Sequence, residues 1–269
     1  MREHEVFGRR AEGTRRLGGI QVIVAQQLTK DFPGPEGVTI RALGPLDLRI
    51  ESGEFVCIVG PSGCGKSTLL RLIAGLDQPT GGALRVGSQT PTLVFQGDST
   101  FPWLTVYGNV EYPLRLRGVP EREREVAVMH QLGLVGLSGF AEAYPYQLSG
   151  GMKQRVALAR AWAADPEILL MDEPFGALDE QTRMALQQEL LRLWEGPPGA
   201  PRTRRTVLFV THAIDEALTL GDRVLVMSAP PGRIIKEVRV PFARPRDAIQ
   251  LKRDPQFGEL AYELWQSLK

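Results

Sequence analysis

The class this sequence predicts is an α/β fold with a largely parallel sheet, and three observations predict it. Short, unbroken apolar runs recur: Phe55-Val56-Cys57-Ile58-Val59, Leu93-Val94-Phe95, Ile168-Leu169-Leu170-Met171, Val207-Leu208-Phe209-Val210 and Arg223-Val224-Leu225-Val226-Met227. Runs of this length without alternation belong to strands buried on both faces. The first passes through Gly60-Pro61-Ser62-Gly63-Cys64-Gly65-Lys66-Ser67-Thr68 into the helix-forming Leu69-Leu70-Arg71-Leu72-Ile73-Ala74, closed by Gly75 as a C-terminal cap. From Gly97 to Asp165 the text turns helical, so a helical insert is expected between two strands of the sheet.

Composition sets the outer bounds. With 269 residues, 43% of them apolar, the chain can bury a sizeable core and is not a disordered type. Its net charge of +1 gives no sign of bulk electrostatic binding to nucleic acid. The cysteines, Cys57 in an expected strand and Cys64 in the glycine loop, do not read as a disulfide framework and fit a reducing compartment. No apolar run reaches the roughly 18–20 residues of a membrane helix. The start of the chain lacks the apolar stretch of a secretory signal.

In chain order, the polar, arginine-rich residues 1–19 read as a mobile basic tail, with contact to anionic lipid as the alternative. Residues Ile20 to Ile50 carry two or three strands around a Pro33–Gly37 loop. Phe32 just before that loop is either a platform for a nucleotide base or a strand-end core aromatic. Asp77 to Gly87 is expected to be a turn-rich connection. Gln96 ends the Leu93–Phe95 strand, the position at which open α/β sheets contact ligands. Helices are expected over Val106–Arg117, from Glu121, and from the Leu148-Ser149-Gly150-Gly151 stretch to Ala163. The apolar cluster Phe101-Pro102-Trp103-Leu104 is either a surface groove or core of the insert. Asp172 and Glu173 end a buried strand, cut off by Pro174, and can manage a cation and a water nucleophile. Gly176-Ala177-Leu178-Asp179 leads into a helix through Trp194. His212 repeats the strand-end placement of Gln96 and Asp172. A Pro-Gly turn and short strand follow Ser228, and an amphipathic helix begins near Asp254.

The glycine loop fits the phosphate-binding pattern G-x-x-x-x-G-K-[ST] in its confirming context of strand, loop and helix. Gly60, Gly63 and Gly65 permit backbone angles that let successive N–H groups converge on one anion. The helix starting near Lys66 adds its positive end. Lys66 is expected to reach the β- and γ-phosphates, and the Ser67 hydroxyl to ligate Mg²⁺.

Taken together, the motifs resemble those of the ATP-hydrolysing subunit of an ATP-binding cassette (ABC) transporter. Leu148-Ser149-Gly150-Gly151-Met152-Lys153-Gln154-Arg155 is similar to the family's signature sequence. Ile168–Glu173 matches the acidic strand, Gln96 the Q-loop, Gly176–Asp179 the D-loop, and Thr211-His212 the switch histidine, all in the family's order. Phe95-Gln96-Gly97-Asp98, Pro102-Trp103-Leu104-Thr105-Val106 and Ser228-Ala229-Pro230-Pro231-Gly232-Arg233-Ile234 resemble the nitrate, sulfonate and taurine importer branch. A short Gly82–Pro91 segment and an expanded Gly196–Arg205 loop depart from that branch without touching a motif.

The resemblance implies a RecA-like phosphate-loop NTPase core with an antiparallel β subdomain and an inserted α-helical subdomain. The ATPase domain would span residues 20–247, with the insert near 97–165 and a C-terminal helical extension over 248–269. It implies ATP and Mg²⁺ as ligands and a head-to-tail dimer of two copies around two ATP molecules. Gly60 to Thr68 and Phe32 would hold one nucleotide, and Ser149, Gly150 and Gly151 would face the ATP of the other copy, with Asp179 nearby. Ser67 and Gln96 would ligate Mg²⁺ with Asp172 in the outer shell, Glu173 would polarise the attacking water, and His212 would contact the γ-phosphate. The implied partners are an integral membrane permease and, indirectly, a solute-binding protein, with no nucleic acid. The implied place is the cytoplasmic face of the inner membrane. A soluble ABC-type ATPase of DNA repair or ribosomes is the alternative, but the coiled-coil or zinc insertions of the first and the second cassette of the other are missing from this sequence. A phosphate-loop kinase would have no use for the signature.

Overall fold

A computed structural model describes residues 21–87, 91–97, 99–176, 178–196 and 205–269. The expected basic tail, most of the loop after Gly196, and Asp98 and Ala177 of the expected motifs lie outside these residues. The chain opens with strands β1 (Gln21–Pro33), β2 (Thr39–Glu51) and β3 (Phe55–Val59), then helix α1 (Lys66–Ile73), β4 (Gly81–Val86) and β5 (Thr92–Val94). Three helices follow, α2 (Val106–Leu116), α3 (Glu121–Leu134) and α4 (Gly150–Ala163), before β6 (Ile168–Asp172). The remainder runs α5 (Glu180–Glu195), β7 (Thr206–Val210), α6 (Ile214–Leu220), β8 (Arg223–Met227), β9 (Ile234–Arg239), α7 (Ala248–Leu251) and α8 (Pro255–Ser267).

These elements form two sheets. A six-stranded sheet has the order β5-β6-β7-β3-β8-β9, parallel except for the antiparallel edge strand β9. A three-stranded antiparallel sheet has the order β2-β1-β4. Every residue of β3, β6 and β7 is buried, which is why their sequences show no alternation. Strand geometry still sends alternate side chains to opposite faces. Phe55, Cys57 and Val59 pack with the helices α2 to α6 and α8, whereas Val56 and Ile58 pack with β1, β2 and α1. The sheet is therefore the shared wall of two cores.

Two expectations need correction or addition. The stretch expected as turns, Asp77 to Gly87, contains β4, which pairs with β1. Its two glycines masked the strand; Gly82 has φ of +77°, and a Cβ there would run into the Gln27 carbonyl oxygen. The close approach matches a bulge in β1, where Gln27 has φ of +46° and Asp47 accepts its backbone N–H at 2.9 Å. Helix α6, directly after His212, is too short for a periodic signal but is nearly all buried. The helical insert begins as expected, with Thr105 capping α2 by accepting from Gly108 N–H at 3.1 Å.

The antiparallel sheet is also joined to the phosphate-binding loop by a turn. Gly232 donates its N–H to the Ala42 carbonyl at 3.1 Å and accepts from Gly44 N–H at 2.8 Å. A Cβ on Gly232 would overlap the carbonyl oxygen of Cys64 inside the loop. The Pro-Pro-Gly turn thus packs backbone against backbone beneath the loop. Gly232→Ala should displace the loop and weaken nucleotide binding by about tenfold or more, since overpacking costs about 1–3 kcal/mol. Nucleotide titration of the variant beside wild type reads the effect; unaltered affinity would show that the turn does not hold the loop.

Candidate functional site

The site lies on the carboxyl-terminal edge of the parallel strands, where open α/β sheets place ligands. β3 leads into the loop Gly60–Gly65, β5 ends just before Gln96, β6 leads into Asp172-Glu173, and β7 into Thr211-His212. Backbone hydrogen bonds carry the ladder one residue past the strands. Glu173 N–H donates to the Val210 carbonyl at 2.9 Å, and Thr211 N–H to the Ile58 carbonyl at 3.1 Å. The acidic pair is thereby fixed against β7, and the His212 turn against β3, the strand that carries the glycine loop.

Within that loop, Gly65 has φ of +98°, and a Cβ there would lie 2.8 Å from the Ala42 carbonyl oxygen. This position needs glycine on both counts. Pro61 is half-buried, Ser62 and Gly63 are exposed, and Cys64 is buried. Ser67 and Thr68 occupy the first turn of α1, with Ser67 exposed. Lys66 is only 6% exposed, and its ammonium donates to the carbonyls of Gly60 at 2.8 Å and Pro61 at 3.0 Å. The loop's own carbonyls thus supply the partners a buried ammonium requires. A phosphate oxygen arriving at the loop would compete with them for the same three N–H donors.

The acidic pair divides into two environments. Asp172 is buried beside Ser67. Burial raises its carboxyl above the ordinary range; the Ser67 hydroxyl opposes this, neighbouring Glu173 adds to it, and Lys66 lowers it. Glu173 has φ of +46°, a left-handed conformation that is strained for a side chain of its size. The turn redirects its carboxylate, which accepts from Gln96 Nε2 at 2.9 Å and lies 3.3 Å from His212 Nδ1, both at Oε2. The His212 side chain is 66% exposed, so one imidazole edge meets Glu173 while the rest faces solvent. Residues from the ends of three strands therefore meet at one carboxylate oxygen.

Other sequence-identified residues are placed elsewhere. Ser149 caps α4, its hydroxyl accepting from Met152 N–H at 3.3 Å. Ser149 and Gly150 are exposed, and Gly150 has open space where a Cβ would stand. A Cβ at Gly151 would lie 3.2 Å from Leu178, so the start of α4 packs closely against the loop before α5. Asp179 caps α5 by accepting from Thr182 N–H at 2.9 Å, a bond that lowers its carboxyl pKa. Phe32 is 37% exposed and lies 4.9 Å from the Lys30 ammonium, so it is not a core aromatic. Trp103 is 71% exposed and stacks on Phe101 at 5.6 Å, which places it outside the core of the insert.

Sequence reasoning passed over a buried polar cluster behind the site. Glu216 of α6 accepts from the Thr211 hydroxyl at 2.6 Å and from Gln187 at 3.0 Å. An acid four residues after His212, in the first turn of a short helix, was the available signal.

Comparison with known proteins gives the family of the chain. Residues 43–176 match the ABC transporter family model. Among curated relatives, the chain is 45% identical over 249 residues to the nitrate import ATP-binding protein NrtD of Synechocystis, covering 88% of this chain and 91% of that one. It is 42% identical over 247 residues to the taurine import ATP-binding protein TauB of Roseobacter denitrificans, covering 88% and 90%. Among solved structures, a dimeric bacterial ABC transporter cassette is similar with a TM-score of 0.73 and 35% identity, covering 82% of this chain and 100% of that one. The same cassette has been solved as a dimer bound to ADP and Pi, in a post-hydrolysis state. The chain belongs to the ATP-binding proteins of ABC transporters. It is accordingly a nucleotide-binding ATPase built on a phosphate-loop α/β core.

The raised Asp172 carboxyl has a stability consequence. An acid whose folded pKa lies above its unfolded value costs stability once pH exceeds the folded pKa, and the cost disappears below the unfolded value. Asp172→Asn should therefore raise the melting temperature at pH 7, by about 2–4 °C for each kcal/mol recovered. The gain should shrink as pH falls through the carboxylate range. Thermal unfolding at several pH values tests this; a melting temperature lowered at pH 7 would contradict it.

Proposed function

We propose that the chain is the ATP-hydrolysing subunit of an importer, joining a second copy head to tail and driving a membrane permease for a small anion of the nitrate, sulfonate or taurine kind. The observation that carries the catalytic part is the meeting of Gln96 and His212 at one oxygen of Glu173, beside the phosphate loop. The similarity to a nitrate and a taurine import ATP-binding protein supports uptake of such anions. The dimeric form of the similar cassette supports assembly in pairs.

In this reading Lys66 leaves its loop carbonyls for the β- and γ-phosphates, and the loop N–H groups with the N-terminus of α1 hold the remaining charge. Phe32, exposed at the end of β1, stacks on the base. The Ser67 hydroxyl and the Gln96 amide oxygen would ligate Mg²⁺, with buried Asp172 in its outer shell, hard oxygen groups of the kind that suits this ion. Bound Mg²⁺ would neutralise charge on the β- and γ-phosphate oxygens. Glu173 orients the attacking water and accepts its proton, and His212 donates a hydrogen bond to the γ-phosphate. Ser149, Gly150 and Gly151 offer the free N–H groups and positive end of α4 to the ATP of the other copy.

The coupling part rests on how α4 is connected. Arg160 of α4 donates to the Ser99 carbonyl at 2.8 Å and covers the Phe101 ring at 4.6 Å. Buried Asn109 accepts from Phe101 N–H at 2.7 Å and donates to the Leu104 carbonyl at 3.1 Å. The helix that begins at the signature thus moves as one body with the loop that exposes Trp103. Trp103 supplies the apolar contact for a short helix of the permease. Among the described residues no helix is long and apolar enough to cross a membrane, which suits a peripheral subunit.

Two experiments test the two parts. Glu173→Gln keeps the hydrogen-bonding shape but cannot accept a proton, so hydrolysis should fall by about 10²–10⁴-fold while ATP binding survives. Size-exclusion chromatography with Mg·ATP should show the variant accumulating as a dimer. Near-normal phosphate release would remove Glu173 from the base role, and lost ATP binding would place it in the metal site instead. Trp103→Ala should keep ATP binding by the isolated chain and weaken co-purification with the permease by about tenfold, as loss of an aromatic anchor does. Unchanged co-purification would reject the docking surface.

A further inference from the structure

Behind His212, the cluster around Glu216 joins three elements, α5, α6 and the turn after β7. Thr211, Gln187 and Glu216 are all buried, so each polar atom must be satisfied inside the protein. The Thr211 hydroxyl donates to Glu216 Oε2 at 2.6 Å and accepts from Ala213 N–H at 3.0 Å. One hydroxyl therefore bridges the residues on either side of His212. The imidazole is left exposed on a backbone clamped from both flanks. The second carboxylate oxygen, Oε1, accepts from Gln187 of α5 at 3.0 Å and lies 3.8 Å from Arg183 Nε. Arg183 continues outward, donating to the Leu178 carbonyl at 2.8 Å and to Glu180 at 2.9 Å. Leu178 in turn packs against Gly151 at the start of α4.

We infer that Glu216 is a positioning residue for hydrolysis, fixing the backbone that presents His212 and tying it to the Leu178–Asp179 loop against which α4 begins. The assignment rests on His212 acting at the γ-phosphate, as proposed above. It adds a physical connection within one copy from the residue facing its own nucleotide to the helix end facing the other. Burial pushes the Glu216 carboxyl up; the Thr211 bond, the Arg183 charge and the Gln187 bond each hold it down. The carboxylate is thus kept in the core at a cost, as expected of a group retained for geometry rather than stability.

The test is steady-state hydrolysis by the purified full chain, with ATP affinity measured separately by titration. Glu216→Ala should lower kcat by about tenfold, the scale seen when a partner that orients a site residue is removed, and leave ATP affinity unchanged. Glu216→Gln should recover much of the rate, because its amide oxygen can still accept from Thr211. Combined with His212→Ala, Glu216→Ala should cause no further fall, since a residue acting through His212 has nothing left to position. A multiplicative loss in the double variant would overturn the assignment, as would wild-type kcat in Glu216→Ala beside an impaired His212→Ala. If His212→Ala itself hydrolyses normally, the role given to His212 falls, and this inference with it. Should Glu216→Ala fail to fold, Thr211→Val and Thr211→Ser carry the same test. Loss of kcat in the first and its retention in the second support the clamp; equal rates in both reject it.

Discussion

The continued backbone ladder between β6, β7 and β3 is the constraint on which the rest of this structure depends. Strand pairing does not stop with the last apolar side chain: Glu173 still bonds Val210, and Thr211 still bonds Ile58. Because hydrogen-bonded strand neighbours lie about 4.8 Å apart, residues from distant parts of the chain are delivered to one edge in a fixed order. The glycine loop begins on β3, the strand paired with β7 on the side away from β6. Flexible connections could supply the same residue types, but not the same mutual distances.

Against that rigid edge, polar groups are buried wherever the chemistry needs them. Lys66 and Asp172 are both withdrawn from water, the first satisfied by loop carbonyls and the second set beside the Ser67 hydroxyl. Glu173 holds an unfavourable backbone angle. Each arrangement costs stability on its own, and the two packed cores on either face of the sheet supply the excess that offsets it. Strain and buried charge concentrated at one edge, over a fully apolar wall, are expected where a site is preorganised for charged ligands.

In the proposed reading the helical insert serves transmission rather than chemistry. α4 starts at Ser149, packs by Gly151 on the loop before α5, and is tied near its far end through Arg160 to the loop bearing Trp103. If that start of α4 faces the nucleotide of a second copy, as proposed, its movement would be felt both at the exposed aromatic and at the loop that Glu216 and Arg183 hold. Helices carry such displacements well because their backbone hydrogen bonds are internal and their side-chain contacts interlock.

The sequence by itself determined the class of fold and the edge on which the site lies. A strand buried on both faces leaves a continuous apolar run, and the polar residues just past it sit at the sheet's rim, so Asp172 and His212 were legible one at a time, as was Gln96 after the shorter run of β5. Helix starts were legible too where a capping residue precedes them, as at Thr105, Ser149 and Asp254. What only the tertiary structure decided are relations between residues far apart in the chain. Gln96 and His212 meeting at Glu173 Oε2, the left-handed turn at Glu173, the Gly232 backbone under the phosphate loop and the Glu216 clamp on Thr211 leave no periodic trace. Strand β4 was hidden for a similar reason: its glycines read as turns until a bulged neighbour required their missing side chains. Exposure of Phe32 and Trp103 was likewise undecidable from sequence, because an aromatic beside a loop has the same letters whether its ring faces the core or the solvent. Local pattern records which face of an element is apolar; only packing records which other element that face, or its polar end, will meet.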